Sequence, residues 1–219
     1  MHRRDKLEKE ISMAVIRRLP RYYRYLSEIN ASGTERISSG ELSSMMGVTA
    51  SQIRQDLNNF GGFGQQGYGY NVANLRDEIG KLLGLENRHK MIIVGAGNFG
   101  TALAKFFSEY ESKSYEIVAL FDNKKELVGK QVGDANIYDL DDMADFIKKE
   151  KIKIGIITVP KDAAVLVADE MVKSGIEAIW NYAHVDLSVP DDVIVENVHL
   201  LDSLMTLTYE LSAKDENSK

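Results

Sequence analysis

The sequence predicts an α/β protein with a helical unit first, a parallel-sheet unit second and one amphipathic helix last. Three observations predict this. Residues 37–57 carry two helix-start signals on either side of a glycine. Residues 91–182 alternate apolar runs with stretches of helical periodicity, which implies a parallel sheet with right-handed crossovers. Between the first two of those runs lies Gly95-Ala96-Gly97-Asn98-Phe99-Gly100, a glycine turn leading from a strand into a helix.

Bulk properties bound the reading. The 219 residues can hold one large or two small domains, and 44% hydrophobic with 27% charged is the composition of a soluble globular protein. No apolar run reaches the ~18 residues of a membrane span. The start, Met1-His2-Arg3-Arg4-Asp5-Lys6, is charged and is not followed by an apolar signal core, so a cytoplasmic location is expected. With no cysteine, disulfides, zinc thiolates and thiol redox sensing are excluded, and any redox sensitivity would have to come through a cofactor. The four histidines lack ligand spacing, so no metal is expected. The net charge of −6 hides an asymmetry. Residues 1–90 carry 14 basic and 10 acidic side chains (+4), and residues 91–219 carry 13 and 23 (−10), which sum to the 27 and 33 of the chain. The early excess, at Arg17, Arg18, Arg21 and Arg24, suits a polyanionic partner, although a solvated helix face would look the same.

Apolar positions Val15, Ile16, Leu19, Tyr22, Tyr23, Leu26 and Ile29 recur at helical spacing over residues 12–30. Pro20 either kinks this helix or sits in the first turn of one that begins there. Ser38 with Glu41, and Thr49 with Gln52, read as capping boxes of two short helices, and Gly47 supplies the left-handed residue between them. Leu42, Met45, Met46, Val48, Ile53 and Leu57 can form the core of the pair. This is a helix-turn-helix pattern. Its second helix would expose Ser51, Gln52, Arg54, Gln55 and Asn58, side chains able to read base edges or bind phosphates. Residues 60–70 interleave five glycines with aromatics, as the wing of a winged helix does; a flexible linker is the plainer alternative. Asn71 can cap a helix over 72–83 with Val72, Leu75, Ile79, Leu82 and Leu83 inward, ended by Gly84.

The second half opens with the apolar run 91–94, the glycine turn, a helix with Leu103, Phe106 and Phe107 inward, and the run 117–121 ending on Asp122. Gly95 allows the tight turn, Gly97 lets the backbone approach a pyrophosphate, and Gly100 lets helix and strand pack closely. Free N–H groups at the helix start then face phosphates. Asp122 stands where a carboxylate binds the adenosine ribose hydroxyls and repels a 2′-phosphate, which favours NAD(H) over NADP(H). An extended segment (132–137), a helix (140–150), a strand (153–160), a helix (162–174) and a strand (176–182) follow. Ligands in such sheets sit at the carboxyl ends of strands, which adds Thr158, Val159, Pro160, Asn181, Tyr182 and Ala183 to Gly95, Ala96, Gly97, Asn98, Phe99, Gly100 and Asp122 as the cofactor-binding set. Residues 203–212 form a last helix with Leu204, Leu207, Tyr209 and Leu211 apolar and little nearby in sequence to cover it. The expected domains are 1–86, 87–200 and the helix with its tail, 201–219.

A dehydrogenase would need a proton donor beside the nicotinamide. Lys161, Tyr182, His184 and His199 are available, but none sits in a catalytic pattern, and no substrate domain follows the cofactor unit. No catalytic residues are assigned. An NAD-dependent oxidoreductase with a helical N-terminal extension is the alternative reading.

At this point the chain resembles the Rex family of redox-sensing transcriptional repressors over nearly its whole length. The residues that carry the resemblance are 17–24 (Arg-Arg-Leu-Pro-Arg-Tyr-Tyr-Arg), 53–57 (Ile-Arg-Gln-Asp-Leu), Phe60-Gly61 with the glycine segment, Val94 with the glycine turn, Thr158-Val159-Pro160 and Glu196-Asn197-Val198. The resemblance implies a homodimer with an N-terminal winged helix, a Rossmann-type domain and a C-terminal helix exchanged between subunits. It implies a repressor that binds operator double-stranded DNA when free or with NAD⁺ and is released by NADH. Arg17, Arg18, Tyr22, Phe63 and Gly64 then join the recognition-helix residues as DNA-contacting, and Arg24, Phe106 and His199 stand at the interdomain sensing positions. The chain departs from other members at Gln55, often Lys, and in some members at Phe106 (Tyr) and His199 (Asp).

Overall fold

The computed structural model describes residues 11–59, 64–65, 68–110 and 114–216. The chain divides into two compact units, Met1–Asn87 and Arg88–Lys219.

In the first unit, α1 (Met13–Ile16) gives way to α2 (Leu19–Ala31), and Pro20 lies in the first turn of α2. Proline starts the second helix rather than kinking one long one, because its missing N–H has no intrahelical duty there. α2 buries Leu19, Tyr22, Leu26 and Ile29, the stripe its spacing predicts. After β1 (Arg36–Ile37), α3 (Ser39–Met46) begins with the full reciprocal box: Ser38 Oγ accepts from Glu41 N–H at 3.1 Å, and the Glu41 carboxylate accepts from Ser38 N–H at 2.8 Å. It ends at Gly47, in the left-handed region at φ 64°. α4 (Ala50–Asn58) carries only half of its expected box. Thr49 accepts from Gln52 N–H at 3.1 Å, but the Gln52 side chain turns the other way, to Asp56.

β2 (Gly64–Gln65) and β3 (Gly69–Asn71) join β1 in an antiparallel sheet ordered β1-β3-β2, the hairpin of a winged helix. Gly69 has φ 70°, and a Cβ there would stand 2.6 Å from the Ile37 carbonyl, so glycine lets β3 close on β1. α5 (Val72–Leu82) is capped by the Asn71 side chain. The helices share one core, with Tyr22, Leu26, Leu42, Met46, Ile53, Leu57, Leu75 and Ile79 wholly or almost wholly buried. Each such side chain contributes about 1.5–3 kcal/mol of burial. Met45 and Leu82, expected inward, are exposed. Each sits beside a neighbour that packs on the core instead, Met46 for Met45 and Leu83 for Leu82.

The second unit is a seven-stranded sheet of β4 (His89–Val94), β5 (Tyr115–Asp122), β6 (Gln131–Val132), β7 (Ala135–Asp139), β8 (Ile154–Ile157), β9 (Ala178–Asn181) and β10 (Ile194–Asn197). Its order is β10-β9-β8-β4-β5-β7-β6, with every neighbouring pair parallel except β6 and β7. Helices α6 (Asn98–Glu109), α7 (Met143–Glu150, after a 3₁₀ turn at Leu140–Asp142) and α8 (Lys161–Ser174) cross over between strands. Alternate residues of β4 feed opposite layers: Ile92 and Val94 pack with Met143, Ile147 and Met171, and Met91 and Ile93 with Ala104, Leu120 and Ile156. From β4 the chain builds outward to β5 and β7, then returns to lay β8, β9 and β10 on the other side. The reversal beside β4 is where a parallel sheet leaves a ligand crevice.

Three expectations change here. The single extended segment over 132–137 is a hairpin, β6 turning into β7 at Gly133 (φ 58°). β10 was not anticipated; it is a short edge strand whose residues are exposed or half-buried, too weakly patterned to stand out. Phe106 is 54% exposed, whereas Ala104, Leu103 and Phe107 face the sheet. Its ring lies along the helix flank instead, stacked on Tyr110 at 5.4 Å. The chain closes with α9 (Leu200–Glu216). Among the described residues no helix is long and apolar enough to cross a membrane.

Candidate DNA-contacting helix and dinucleotide site

On α4, Ser51, Arg54, Gln55 and Asn58 are exposed along one face. The opposite face buries Ile53, Leu57 and, unexpectedly, Asp56. The Asp56 carboxylate accepts four hydrogen bonds. Arg18 Nε reaches Oδ2 and Arg18 Nη2 reaches Oδ1, both at 2.7 Å; Tyr22 OH reaches Oδ2 at 2.9 Å; Gln52 Nε2 reaches Oδ1 at 2.8 Å. Burial pushes the Asp56 carboxyl up, but the bonds from Arg18, Gln52 and Tyr22 outweigh it and hold it below the ordinary range. Burial, then the bond to Asp56, pushes the Tyr22 phenol up.

This network corrects one expected DNA contact, Tyr22, and engages two others, Arg18 and Gln52. Tyr22 is wholly buried and turned to Asp56, so it meets no ligand. Arg18 spends its charge on Asp56, and Gln52 is half-buried with its amide held by the same carboxylate. Tyr22 could have been placed inside from its position on the apolar stripe; no local signal joins Arg18 to Asp56. Arg17 and Arg24 are exposed, and Arg24 lies over the Tyr25 ring at 5.4 Å. Arg21 donates to the Met46 carbonyl at the end of α3, and Arg54 to Ser39 Oγ at 2.9 Å. Gly64 lies in β2; Phe63 lies outside the described residues.

In the second unit the glycine turn has the geometry its chemistry needs. Gly95 sits at φ 105°, and a Cβ there would meet Thr158 at 2.9–3.0 Å. A Cβ on Gly100 would stand 1.9 Å from the Gly95 carbonyl, so α6 can start this close to β4 only on glycine. Thr158 Oγ1 ties the turn to the next strand, reaching the Gly95 carbonyl at 2.8 Å and that of Val94 at 3.0 Å. Gly97 differs: a Cβ on it would meet nothing within 4 Å. The space in front of Gly97 is open, no side chain caps the first turn of α6, and the positive end of the helix dipole faces that space. A pyrophosphate fits this cradle. Asp122 ends β5 beside it, with Oδ2 accepting from Ala96 N–H at 2.7 Å and Oδ1 from Lys124 N–H at 2.9 Å.

Asn98 and Phe99 are exposed at the start of α6, and the Phe99 ring lies 4.9 Å from that of Tyr182. Tyr182 is half-buried, and burial pushes its phenol up to about 12. Thr158 and Val159 are half-buried and Pro160 exposed, at the carboxyl end of β8. Asn181 is a correction. It is wholly buried, its Nδ2 donates to the Val185 carbonyl and to Asn197 Oδ1 (both 2.8 Å), and its Oδ1 accepts from Ala183 N–H at 3.0 Å. Asn181 shapes the strand-end loop and ties β9 to β10 rather than facing a ligand, and Ala183 is buried with it. His199, half-buried ahead of α9, stacks on His184 with centroids 6.0 Å apart. Of the three sensing positions, Arg24 belongs to the first unit and Phe106 and His199 to the second. A cavity of about 490 Å³ near Phe107 and Tyr115 lies at the amino-terminal ends of β5 and β7, opposite the strand ends that carry this site, and is no part of it.

A winged helix-turn-helix joined to a Rossmann-type dinucleotide unit defines a class, the nucleotide-responsive DNA-binding regulators. Comparison with known proteins narrows it. Residues 10–58 match the family described as "Putative DNA-binding protein N-terminus", and residues 86–185 match the family described as "CoA binding domain". The redox-sensing transcriptional repressor Rex of Thermoanaerobacter pseudethanolicus is 54% identical over 94% of this chain and 92% of its own. That of Clostridium botulinum (strain Hall) is 54% identical over 92% and 95%. A crystal structure of the Rex-family repressor RSP with NAD⁺ and operator DNA superposes with a TM-score of 0.88 at 53% identity, covering 95% of each chain. One of RSP with NADH gives 0.87 at 50%, covering 95% of this chain and 98% of the other. The chain belongs to the Rex family of redox-sensing transcriptional repressors.

Proposed function

We propose that this protein represses transcription by binding operator double-stranded DNA when free or carrying NAD⁺, and leaves the operator when NADH binds. The single observation that carries the reading is that one chain holds both an exposed recognition face on α4 and an open glycine cradle beside a strand-end aspartate. The oxidoreductase alternative gives way to the family, whose named members are repressors.

Ser51, Arg54, Gln55 and Asn58 present polar groups to a major groove, and Arg17 adds charge for phosphates, while Arg24 stands at an interdomain sensing position. In the second unit the α6 N-terminus and Gly97 hold the pyrophosphate, Asp122 the adenosine ribose, and Thr158, Val159, Pro160 and Tyr182 the nicotinamide half. The bound dinucleotide supplies the redox signal as one hydride and one positive charge. The protein converts that difference into a difference of affinity between its DNA-competent and released arrangements. Swinging the balance from 99:1 to 1:99 takes about 5.5 kcal/mol, or roughly 2.7 kcal/mol at each of two sites in a dimer. A homodimer follows from α9, where Leu200, Leu201, Leu204, Met205, Leu207 and Leu211 are all more than half exposed. A second copy exchanging this helix would cover them. This reading locates the protein in the cytoplasm, where operator DNA and the NADH pool meet.

Fluorescence anisotropy on the operator duplex that RSP binds tests the reading. Binding unaffected by NAD⁺ and abolished by NADH is the expected result. Equal binding to a scrambled duplex, or indifference to NADH, would overturn it.

A further inference from the structure

Two carboxylates end neighbouring strands side by side. Asp122 closes β5, Asp139 closes β7, and the two are in register. The loop leaving β5 carries Lys124 and Lys125, two and three residues beyond Asp122. In Rossmann domains that accept the phosphorylated dinucleotide, a cation near the acidic position receives the 2′-phosphate. Lys125 is a cation on that loop, but it is already engaged. Its ammonium donates to Asp139 Oδ2, and Asp141 Oδ2 lies 3.8 Å away. Asp139 is the anchored partner, 20% exposed against 70% for Lys125. Its other oxygen accepts from Asp141 N–H at 3.2 Å, which fixes the carboxylate at the start of the 3₁₀ turn. Lys124 gives its backbone N–H to Asp122, which sets the course of the loop that carries Lys125 across to β7. An exposed pair of this kind adds little stability. Its effect is on where the cation sits.

We propose that Asp139 is a second determinant of NAD(H) over NADP(H), acting by holding Lys125 on the β7 side and so away from a 2′-phosphate. Asp122 repels the phosphate directly, and Asp139 withholds the charge that could compensate for it. The inference rests on the dinucleotide reading above.

The test is a set of fluorescence titrations with NADH and with NADPH. Asp122→Asn removes the first charge and keeps an acceptor for Ala96 N–H. Asp139→Asn, or Asp139→Ser if the asparagine variant fails to fold, frees Lys125 and keeps a cap for Asp141 N–H. The affinity ratio of NADPH to NADH should rise about fivefold from Asp122→Asn to the double variant, equivalent to ~1 kcal/mol. Adding Lys125→Gln should return it to the Asp122→Asn value. An unchanged ratio in the double variant overturns the inference, and so does a gain that survives Lys125→Gln. Absence of NADH binding by the unaltered protein overturns the dinucleotide reading itself, and this inference with it, and is seen before any variant is made.

Discussion

Arg18 and Asp56, 38 residues apart in sequence, meet through two hydrogen bonds of 2.7 Å and tie the start of α2 to the buried face of the recognition helix. Tyr22 and Gln52 complete the shell around the carboxylate, so no oxygen of this buried charge is left without a partner. A buried carboxylate satisfied in this way fixes a relative orientation rather than adding much net stability. Here it sets which face of α4 is presented outward.

Removing it should be costly. Breaking a fully buried ion pair costs about 3–5 kcal/mol, and with Arg18 one-third exposed (34%) the expectation for Asp56→Asn is lower, about 2 kcal/mol. The pH dependence follows from the lowered carboxyl. As pH falls, the unfolded chain takes up this proton first. The contribution is complete above the unfolded carboxylate pKa of about 4 and is lost as pH falls through the lower folded value. Urea melts from pH 7 to 3 should show the Asp56→Asn deficit shrinking on the acid side. A deficit constant with pH would sink this account.

Gly97 and Gly100, the exposed and the buried glycine of the cradle, should separate cleanly. Gly97→Ala has open space and an ordinary φ of −72°, so stability should change by less than about 0.5 kcal/mol while NADH affinity falls, because the methyl stands where the pyrophosphate approaches. Gly100→Ala drives its Cβ into the Gly95 carbonyl, so both stability and NADH affinity should fall, the latter by more than about a hundredfold, or ~2.7 kcal/mol. Thermal melts with NADH titration check both. Equal behaviour of the two variants would contradict the assigned roles.

Gln55 is exposed on α4 and can make a bidentate contact with adenine N6 and N7, whereas a lysine there would favour guanine. Gln55→Lys is expected to shift preference from A·T towards G·C at one operator position, by about 1–3 kcal/mol of discrimination. Binding to a pair of duplexes differing at that base decides it, and an unchanged preference refutes the contact.

Coupling between the sites must be reciprocal. If NADH weakens operator binding by some factor, the operator weakens NADH binding by the same factor. Titrating NADH with and without saturating operator duplex measures it. Equal NADH affinity in the two cases would rule out a two-state switch.

Much of this was legible in the chain because its signals are local. Ser38 with Glu41, Gly47 and the glycine turn declare themselves within a few residues, since capping and left-handed turns depend on near neighbours. The alternation of strand and helix implied the parallel sheet, and the aspartate expected at the end of its second strand closes β5. What the sequence alone misread depends on distant partners. Gln52 reads as half a capping box until Asp56 takes its amide. Asn181 reads as a ligand contact until the unanticipated β10 brings Asn197 to it. Phe106 reads as core until packing gives that place to Phe107.

The sequence by itself determined the class of protein, two units with a recognition helix in one and a nucleotide cradle in the other, because helix caps, glycine turns and apolar periodicity are written at short range. The tertiary structure decided which polar side chains are free to act. Arg18, Tyr22 and Gln52 all find the buried Asp56, and a charged or polar group placed beside such a partner in a poorly solvated setting is drawn to it first; Lys125 finds Asp139 at the surface.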